Sequence, residues 1–304
     1  MRLVMTAIAL ATFSVVLLGP GSTWLSRARW VHRAPRAGVL LWQGMGLGAI
    51  LSGIGAGLAL AATRYRAGFA GGTRQLVGSL FSNHPLRGLG LYDALGLTLA
   101  ADLLIVLGVV LGVFMVRTVR RRARHRDLLD LVTYTAPQYP GTEFLADRRA
   151  IAYCLPGFRP RIVVSDGTRT LLDRNELWAV IHHERGHAHA HHGLVMLPMA
   201  SLSSLFPWIP YARYAPESMG LLLEMAADDF SSRRSERRLL AAALVEMAAN
   251  GWAPSCAFAA AGTGALERVS RLLKADPTSK SSAVLASVLG LAAVLVPVSA
   301  ALLT

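Results

Sequence analysis

Within 304 residues, 53% are hydrophobic and the mean hydropathy is +0.43, which is too apolar for an ordinary soluble domain and indicates a membrane protein. The net charge of +13 comes almost wholly from arginine, since Lys274 and Lys280 are the only lysines. The arginines lie at the ends of apolar segments, where membrane topology needs them, so no nucleic-acid partner is expected. Cys154 and Cys256 are isolated in the sequence, which argues against a zinc knuckle or a disulfide framework.

Four apolar runs organise the chain and predict four membrane-spanning helices, because about 20 apolar residues cross the hydrocarbon core. The runs are Leu3–Leu18, Val39–Ala62, Leu95–Val116 and Ala283–Leu303. The first is short and resembles a secretory signal, but no small-x-small cleavage site follows it and several arginines lie just beyond it. In the second run, Gly44/Gly48 and Gly53/Gly57 have the spacing that favours close packing between membrane helices.

A cluster of arginines follows the third run, at positions 117, 120, 121, 122, 124 and 126. Such clusters stay on the cytoplasmic side of a membrane. We therefore predict an N-terminal membrane domain with three spans in residues 1–116, a cytoplasmic domain in residues 117–281 and a last span in residues 282–304, with both termini outside. Asp102 lies inside the third run, where inserting a carboxylate costs about 2.5–3.5 kcal/mol. We expect it to form a hydrogen bond with a neighbouring helix or to serve as a signalling contact.

The cytoplasmic segment is predicted to be mainly helical with a small sheet. Two short runs of β-type residues, Ala150–Cys154 and Arg161–Ser165, flank a Pro-Gly turn at Pro156. Asp173 precedes a helical pattern and is followed three residues later by Glu176, which predicts that Asp173 caps the start of a helix.

That helix carries His183-Glu184-Arg185-Gly186-His187, an H-E-x-x-H pattern. Residues four apart lie about 40° apart around a helix and about 6 Å apart along it, so both imidazoles can bind one zinc ion. Glu184 lies beside them and can take a proton from the attacking water. Six of the nine histidines lie within residues 182–192, so the alternative is a His-rich loop that sequesters metal.

A second motif follows at Glu224 and Asp228, which again lie four apart in a helix-compatible stretch. A catalytic zinc ion with two His ligands needs a third protein ligand and keeps one position open for water and substrate. Glu224 follows three leucines, an unusual place for a solvated carboxylate, so it is predicted to be that ligand. Asp228 would face the same way and accept a hydrogen bond from the distal ring nitrogen of a ligand His. Ala226 and Ala227 would let the two helices approach closely.

These motifs resemble the membrane-embedded gluzincins, whose pattern is H-E-x-x-H followed by E-x-x-A-D. Several flanking segments are similar to the BlaR-type antirepressor metallopeptidases: 162–167, 173–184, 238–244 and 267–273. CaaX prenyl proteases and heat-shock membrane proteases are more distant relatives. The resemblance covers about residues 145–275 and implies a protein substrate on the cytoplasmic side, such as a transcriptional repressor or a damaged membrane protein. Residues 281–304, which are mainly apolar, follow in place of the penicillin-binding domain of BlaR-type sensors, so direct β-lactam sensing is not expected.

The predicted fold is mainly α, with multi-pass membrane helices in the cell membrane and a cytoplasmic zincin-like α+β metallopeptidase domain. One Zn²⁺ ion per chain would be bound by His183, His187 and Glu224, with Glu184 as the catalytic base, Asp228 as the partner of a ligand His, and a protein or peptide as substrate. The competing hypothesis is a non-catalytic membrane metal-binding or signalling protein that uses the His-rich segment.

Two features of this predicted site stay open in the sequence. The first is the donor that stabilises the oxyanion, for which the candidates are His189, His191, His192, Arg233 and Arg234. The second is the edge strand that takes up the peptide by strand addition in zincin-like sites, since either short β run could be that strand.

The apolar stretch Leu194–Ile209 lies between the two motifs and looks like a further span. His183 and Glu224 must reach the same zinc ion, however, so a single crossing between them is excluded. Two crossings would need about 40 apolar residues, and prolines interrupt the stretch. We therefore predict a bent hairpin that lies in the membrane interface or is buried against the other helices.

Overall fold

The computed structural model describes residues 1–65, 67–81, 89–251, 263–274 and 278–303, most of which are helical, as predicted. The α-helices are α1 (Arg2–Val16), α2 (Ser22–Ser26), α3 (Pro35–Ala61), α4 (Gly68–Leu80), α5 (Leu91–Val132), α6 (Asp166–Leu171), α7 (Arg174–His189), α8 (His192–Val195), α9 (Leu197–Leu205), α10 (Pro210–Ser231), α11 (Arg237–Ala249), α12 (Thr263–Leu272) and α13 (Lys280–Leu302). The strands are β1 (Thr133–Thr135), β2 (Thr142–Leu145), β3 (Ala152–Leu155) and β4 (Arg161–Ser165).

Four helical segments of the described chain are long and apolar enough to span a membrane, which confirms the four predicted runs. They are Arg2–Ser26, Pro35–Ala61, Leu91–Val132 and Lys280–Leu302. The first joins α1 to α2 through a π-helical turn, Leu17–Gly21, that contains Pro20. Proline has no backbone N–H to donate, so the regular α-helical hydrogen bonds are interrupted at this turn.

Helix α3 is the centre of the membrane bundle and packs against α1, α5 and α13. Glycines occupy its closest contacts. A Cβ atom on Gly44 would lie 2.5 Å from the carbonyl oxygen of Gly290 on α13. A Cβ atom on Gly57 would lie 2.7 Å from the carbonyl oxygen of Gly96 on α5. The predicted close packing at these glycines is therefore confirmed.

Helix α5 is a single helix of 42 residues that continues beyond the third predicted run. At about 1.5 Å per residue it is about 63 Å long, roughly twice the thickness of the hydrocarbon core. The predicted division after residue 116 falls inside this helix and stays a prediction. Asp102 is exposed on α5 and forms no hydrogen bond or ion pair with the described residues. The prediction that Asp102 forms a hydrogen bond with a neighbouring helix is therefore wrong for the described residues. Helix α5 contacts α3 through Ala100 and not through Asp102.

A four-stranded sheet lies between α5 and α7, with the strand order β1-β2-β4-β3. Strands β2 and β4 are parallel, and the other pairs are antiparallel. The two predicted β runs correspond to β3 and β4. Because β4 is paired on both sides, only β3 of these two has an unpaired edge, and β3 also packs beside α7. The short strands β1 and β2 are not predicted by the sequence pattern.

The stretch between the two motifs folds into α8, α9 and a turn. Helix α9 has nine residues, too few for a membrane crossing. Met196 and Met199 are buried in one hydrophobic core with Trp42 of α3 and with Tyr211 and Leu222 of α10. This confirms the predicted burial against the other helices. Helix α10, which carries Glu224, therefore shares a core with a candidate membrane span.

Candidate metal centre

Helix α7 begins at the predicted cap. The carboxylate of Asp173 accepts hydrogen bonds from the backbone N–H groups of Asn175 and Glu176. The side chain of Glu176 accepts one from the backbone N–H of Asp173 in return. This capping box confirms the predicted start of the helix. It thereby fixes the positions of the H-E-x-x-H side chains around the helix.

His183 and His187 lie on the buried face of α7, with 3% and 7% of their surfaces exposed. Their Nε2 atoms are 3.1 Å apart. Helix α10 lies directly against this face at Gly186, where a Cβ atom would be 3.1 Å from the Cα atom of Ala227. The predicted close approach of the two helices at small residues is therefore confirmed.

Glu224 comes from α10 and places one carboxylate oxygen near each imidazole. Its Oε2 lies 3.4 Å from Nε2 of His183, and its Oε1 lies 3.4 Å from Nε2 of His187. In a tetrahedron, zinc bonds of about 2.0–2.1 Å separate the ligand atoms by about 3.3–3.4 Å. Oε1 of Glu224 also has no hydrogen-bond partner. The two nitrogens and one carboxylate of this group can therefore hold a metal ion.

Asp228 lies one helical turn after Glu224, with its Oδ1 2.9 Å from Nδ1 of His183. This contact directs Nε2 of His183 towards Glu224, which is the arrangement that its predicted role requires. Burial lowers the pKa of His183, but the neighbouring Asp228 and Glu224 raise it by more, to about 9. The same negative charge attracts a metal cation.

His192, one of the candidate oxyanion donors, lies behind His187 instead. The Nδ1 atoms of the two rings are 2.8 Å apart. His191 between the two helices has a left-handed backbone, with φ of 50°, and this turn brings His192 back onto α7. Burial lowers the pKa of His192 to about 3, so its ring is neutral and can accept the Nδ1–H of His187. Such a bond leaves Nε2 of His187 free for a metal ion.

The other four candidate oxyanion donors do not reach the centre. His189, His191, Arg233 and Arg234 are exposed. His189 and Arg234 contact the ring of Phe230. The structure thus places His183, His187 and His192 together in a buried group, and leaves His189 and His191 exposed outside it. His182 is half-buried and contacts Ser235 instead.

Glu184 is enclosed beside the two imidazoles, with 1% of its surface exposed. Burial raises the pKa of its carboxyl to about 7, and a backbone hydrogen bond from Cys154 on β3 acts in the opposite direction. Its Oε2 has no hydrogen-bond partner. A carboxyl that titrates near neutral pH can both accept and return a proton. The edge strand β3 and this carboxyl are therefore direct neighbours.

The thiol of Cys154 lies on the same strand and is free. Burial raises its pKa to about 12, so the thiol stays protonated and unreactive at neutral pH. Cys256 lies outside the described residues.

Arg268 on α12 completes the centre. It lies in the flanking segment 267–273 but outside both sequence motifs, and no role was predicted for it. Its Nη1 lies 2.8 Å from Oε2 of Glu224, and its Nε and Nη2 donate to the two oxygens of Asp228. Three carboxylates, those of Glu184, Glu224 and Asp228, and one guanidinium are thus buried at this centre. The buried carboxylates at this centre outnumber the guanidinium, and this excess of acidic groups favours a bound metal cation.

Residues 117–220 match the sequence profile of Peptidase family M48. This segment, about a third of the chain, is therefore similar to a peptidase family. The matched segment includes the sheet and all of α7, and it stops short of Glu224. The BlaR-type and CaaX-type subtypes stay predictions. No curated protein and no solved structure matches the chain.

Proposed function

We propose that this chain is an integral membrane zinc endopeptidase that cleaves proteins at the cytoplasmic face of the cell membrane. The observation that carries the proposal is the convergence of His183, His187 and Glu224 from two helices, with donor atoms within 4.8 Å of one another, beside the enclosed carboxyl of Glu184. Two separate sequence motifs meet at this point. The M48 match supports the same class of reaction.

Each residue of the centre has a chemical task in this proposal. Zinc bound there would polarise the scissile carbonyl and make the attacking water more acidic, with a pKa of about 7. The carboxylate of Glu184 would take a proton from the attacking water as its oxygen bonds to the scissile carbonyl carbon, and would return that proton to the amine nitrogen as the C–N bond breaks. Asp228 and His192 hold the imidazoles of His183 and His187 so that each presents Nε2.

The unpaired edge of β3 is the surface that we assign to the substrate. Its backbone groups on the side away from β4 have no partner strand in the described sheet. Cys154 of β3 contacts Glu184, so an extended peptide added to this edge would bring its main chain to the catalytic carboxyl. A protein with an extended or unfolded segment fits this surface, whether that protein is a repressor or a damaged membrane protein.

The arginines at the end of α5 support a cytoplasmic site. The core shared by α3 and α10 supports a position close to the membrane surface. Single cysteines at Arg126, which is half-buried, and at Glu217, which is exposed, test this topology. We expect a membrane-impermeant thiol reagent to label both positions from the cytoplasmic side. Labelling from opposite sides would contradict the topology.

The competing function is a membrane protein that sequesters metal without catalysis. Metal analysis of the full-length protein in detergent distinguishes the two. We expect one zinc ion per chain, which His183→Ala removes and His189→Ala retains. Several weakly held ions that are lost in His189→Ala and His191→Ala would favour the sequestering protein.

A further inference from the structure

Arg268 is a long cationic side chain with 1% of its surface exposed. Its guanidinium forms a two-bond pair with Asp228, at 2.9 Å from Nε to Oδ2 and 2.7 Å from Nη2 to Oδ1. The remaining nitrogen, Nη1, lies 2.8 Å from Oε2 of Glu224. One side chain therefore contacts both a candidate metal ligand and the residue that orients another ligand.

The contact with Arg268 gives the two carboxylate oxygens of Glu224 different surroundings. Oε2 is bound by the guanidinium, whereas Oε1, the oxygen nearest to His187, has no hydrogen-bond partner. A planar guanidinium can hold two carboxylates in fixed orientations, which a lysine ammonium cannot do. The same guanidinium binds Asp228, whose carboxylate contacts Nδ1 of His183, so it also supports the orientation of this imidazole.

A second arginine on α12 forms a comparable pair away from the metal ligands. Arg271 donates to both oxygens of Asp229 at 2.8 and 2.9 Å. Its Nε donates to the backbone carbonyl of His32, in the segment between the first two candidate spans. The adjacent residues Asp228 and Asp229 of α10 thus each bind one arginine of α12, but only Arg268 contacts the metal centre.

We propose that Arg268 is a positioning residue of the metal centre, which holds Glu224 and Asp228 in the orientation that lets His183, His187 and Glu224 bind zinc. The inference rests on the proposed zinc function. It assigns to α12 a part in metal binding that neither sequence motif contains.

The test is zinc affinity of the full-length protein in detergent, measured by competition with a chelator, together with the visible spectrum of the Co²⁺-substituted protein. We expect Arg268→Met to weaken zinc binding about 10–100-fold, as the loss of other residues that hold metal ligands does. The Co²⁺ spectrum should change as well, because it reports ligand geometry. Arg271→Met is the matched control. It removes the same kind of pair from the same helix, and it should keep both the parent affinity and the parent spectrum.

Arg268→Lys keeps a buried positive charge and is the second test variant, to be used if Arg268→Met does not fold. Since an ammonium cannot hold both carboxylates, this variant should also bind zinc more weakly than the parent and shift the Co²⁺ spectrum. If the Arg268 variants keep the zinc affinity and the Co²⁺ spectrum of the parent, the role of Arg268 is overturned while the proposed function stands. Equal loss of zinc in Arg271→Met would also overturn it, by showing that only helix packing matters. A parent protein that binds no zinc would instead overturn the proposed function, and the inference with it.

Discussion

The membrane bundle and the metal centre are both closely packed, but opposite kinds of chemistry hold them together. In the bundle, α3 approaches α13 and α5 at glycines, where backbone atoms are in contact and no side chain intervenes. In the metal centre, the contact between α7 and α10 encloses ionisable side chains that pair with one another. The bundle should therefore be sensitive to added volume at these glycines. Metal binding at the centre should be sensitive to the loss of the charged groups that bind the metal or hold its ligands.

The largest expected effect on the metal centre is that of removing the carboxylate of Glu224, its proposed third ligand. Glu224→Ala leaves two imidazoles and should release zinc almost completely, a greater loss than the about 10–100-fold change seen for residues outside the ligand set. Metal analysis after gel filtration measures it. Retention of one zinc ion per chain by this variant would show that Glu224 is not a ligand.

A comparable effect on the bundle is expected from added volume. In Gly44→Leu the new Cβ atom would lie 2.5 Å from the carbonyl oxygen of Gly290, so α3 and α13 must separate. We expect a loss of about 1–3 kcal/mol in the free energy of unfolding, as for other overpacked sites. Thermal unfolding in detergent measures it.

The control for the bundle is Gly108→Leu on α5, where a Cβ atom would have no neighbour within 4 Å. This variant should unfold like the parent. If both glycine variants unfold alike, close packing is not the reason for glycine at position 44. Either glycine variant, when folded, should contain as much zinc as the parent.

An intermediate effect is expected at the carboxylate that contacts Nδ1 of His183. Asp228→Ala removes this contact and leaves the three ligand side chains in place, so zinc binding should weaken by about 10–100-fold without being lost. Chelator competition measures the change. A variant of Asp228 that loses all zinc, beside a variant of Glu224 that retains it, would exchange the roles of the two carboxylates.

The smallest expected effect distinguishes adjacent histidines. His192→Ala removes the buried partner of His187, so zinc should bind more weakly, at about the lower end of that 10–100-fold range. His191→Ala changes an exposed side chain and should leave the affinity as it is in the parent. Equal affinities in the two variants would contradict the contact between His192 and His187.

Features set by short sequence spacings were predictable from the sequence. The spans follow from uninterrupted apolar runs, and the cap at Asp173 follows from the glutamate three residues later. The contact between His183 and Glu224 could also be predicted from the sequence. Each residue has a second polar residue four positions later on its helix, and small residues within each of these two segments let the helices approach closely.

Long-range contacts were not predictable in the same way. Arg268 lies 40 residues after Asp228, on a helix whose sequence also suits a solvated surface. His192 reaches His187 only because His191 takes a left-handed conformation, which no local pattern requires of a histidine. Strands β1 and β2 have three and four residues and are held by their neighbours, so their own sequences carry little signal.

The most direct test of the catalytic account is the Glu184→Gln variant, examined for zinc and for cleavage in one preparation. The substitution keeps the shape of the side chain and removes the group that accepts the proton, while the three metal-binding residues are unchanged. We predict one zinc ion per chain, as in the parent, and a loss of cleavage of an unfolded protein substrate by at least the about 10²–10⁴-fold that general bases contribute. Cleavage by the variant at the parent rate, with zinc retained, would contradict the proposed mechanism.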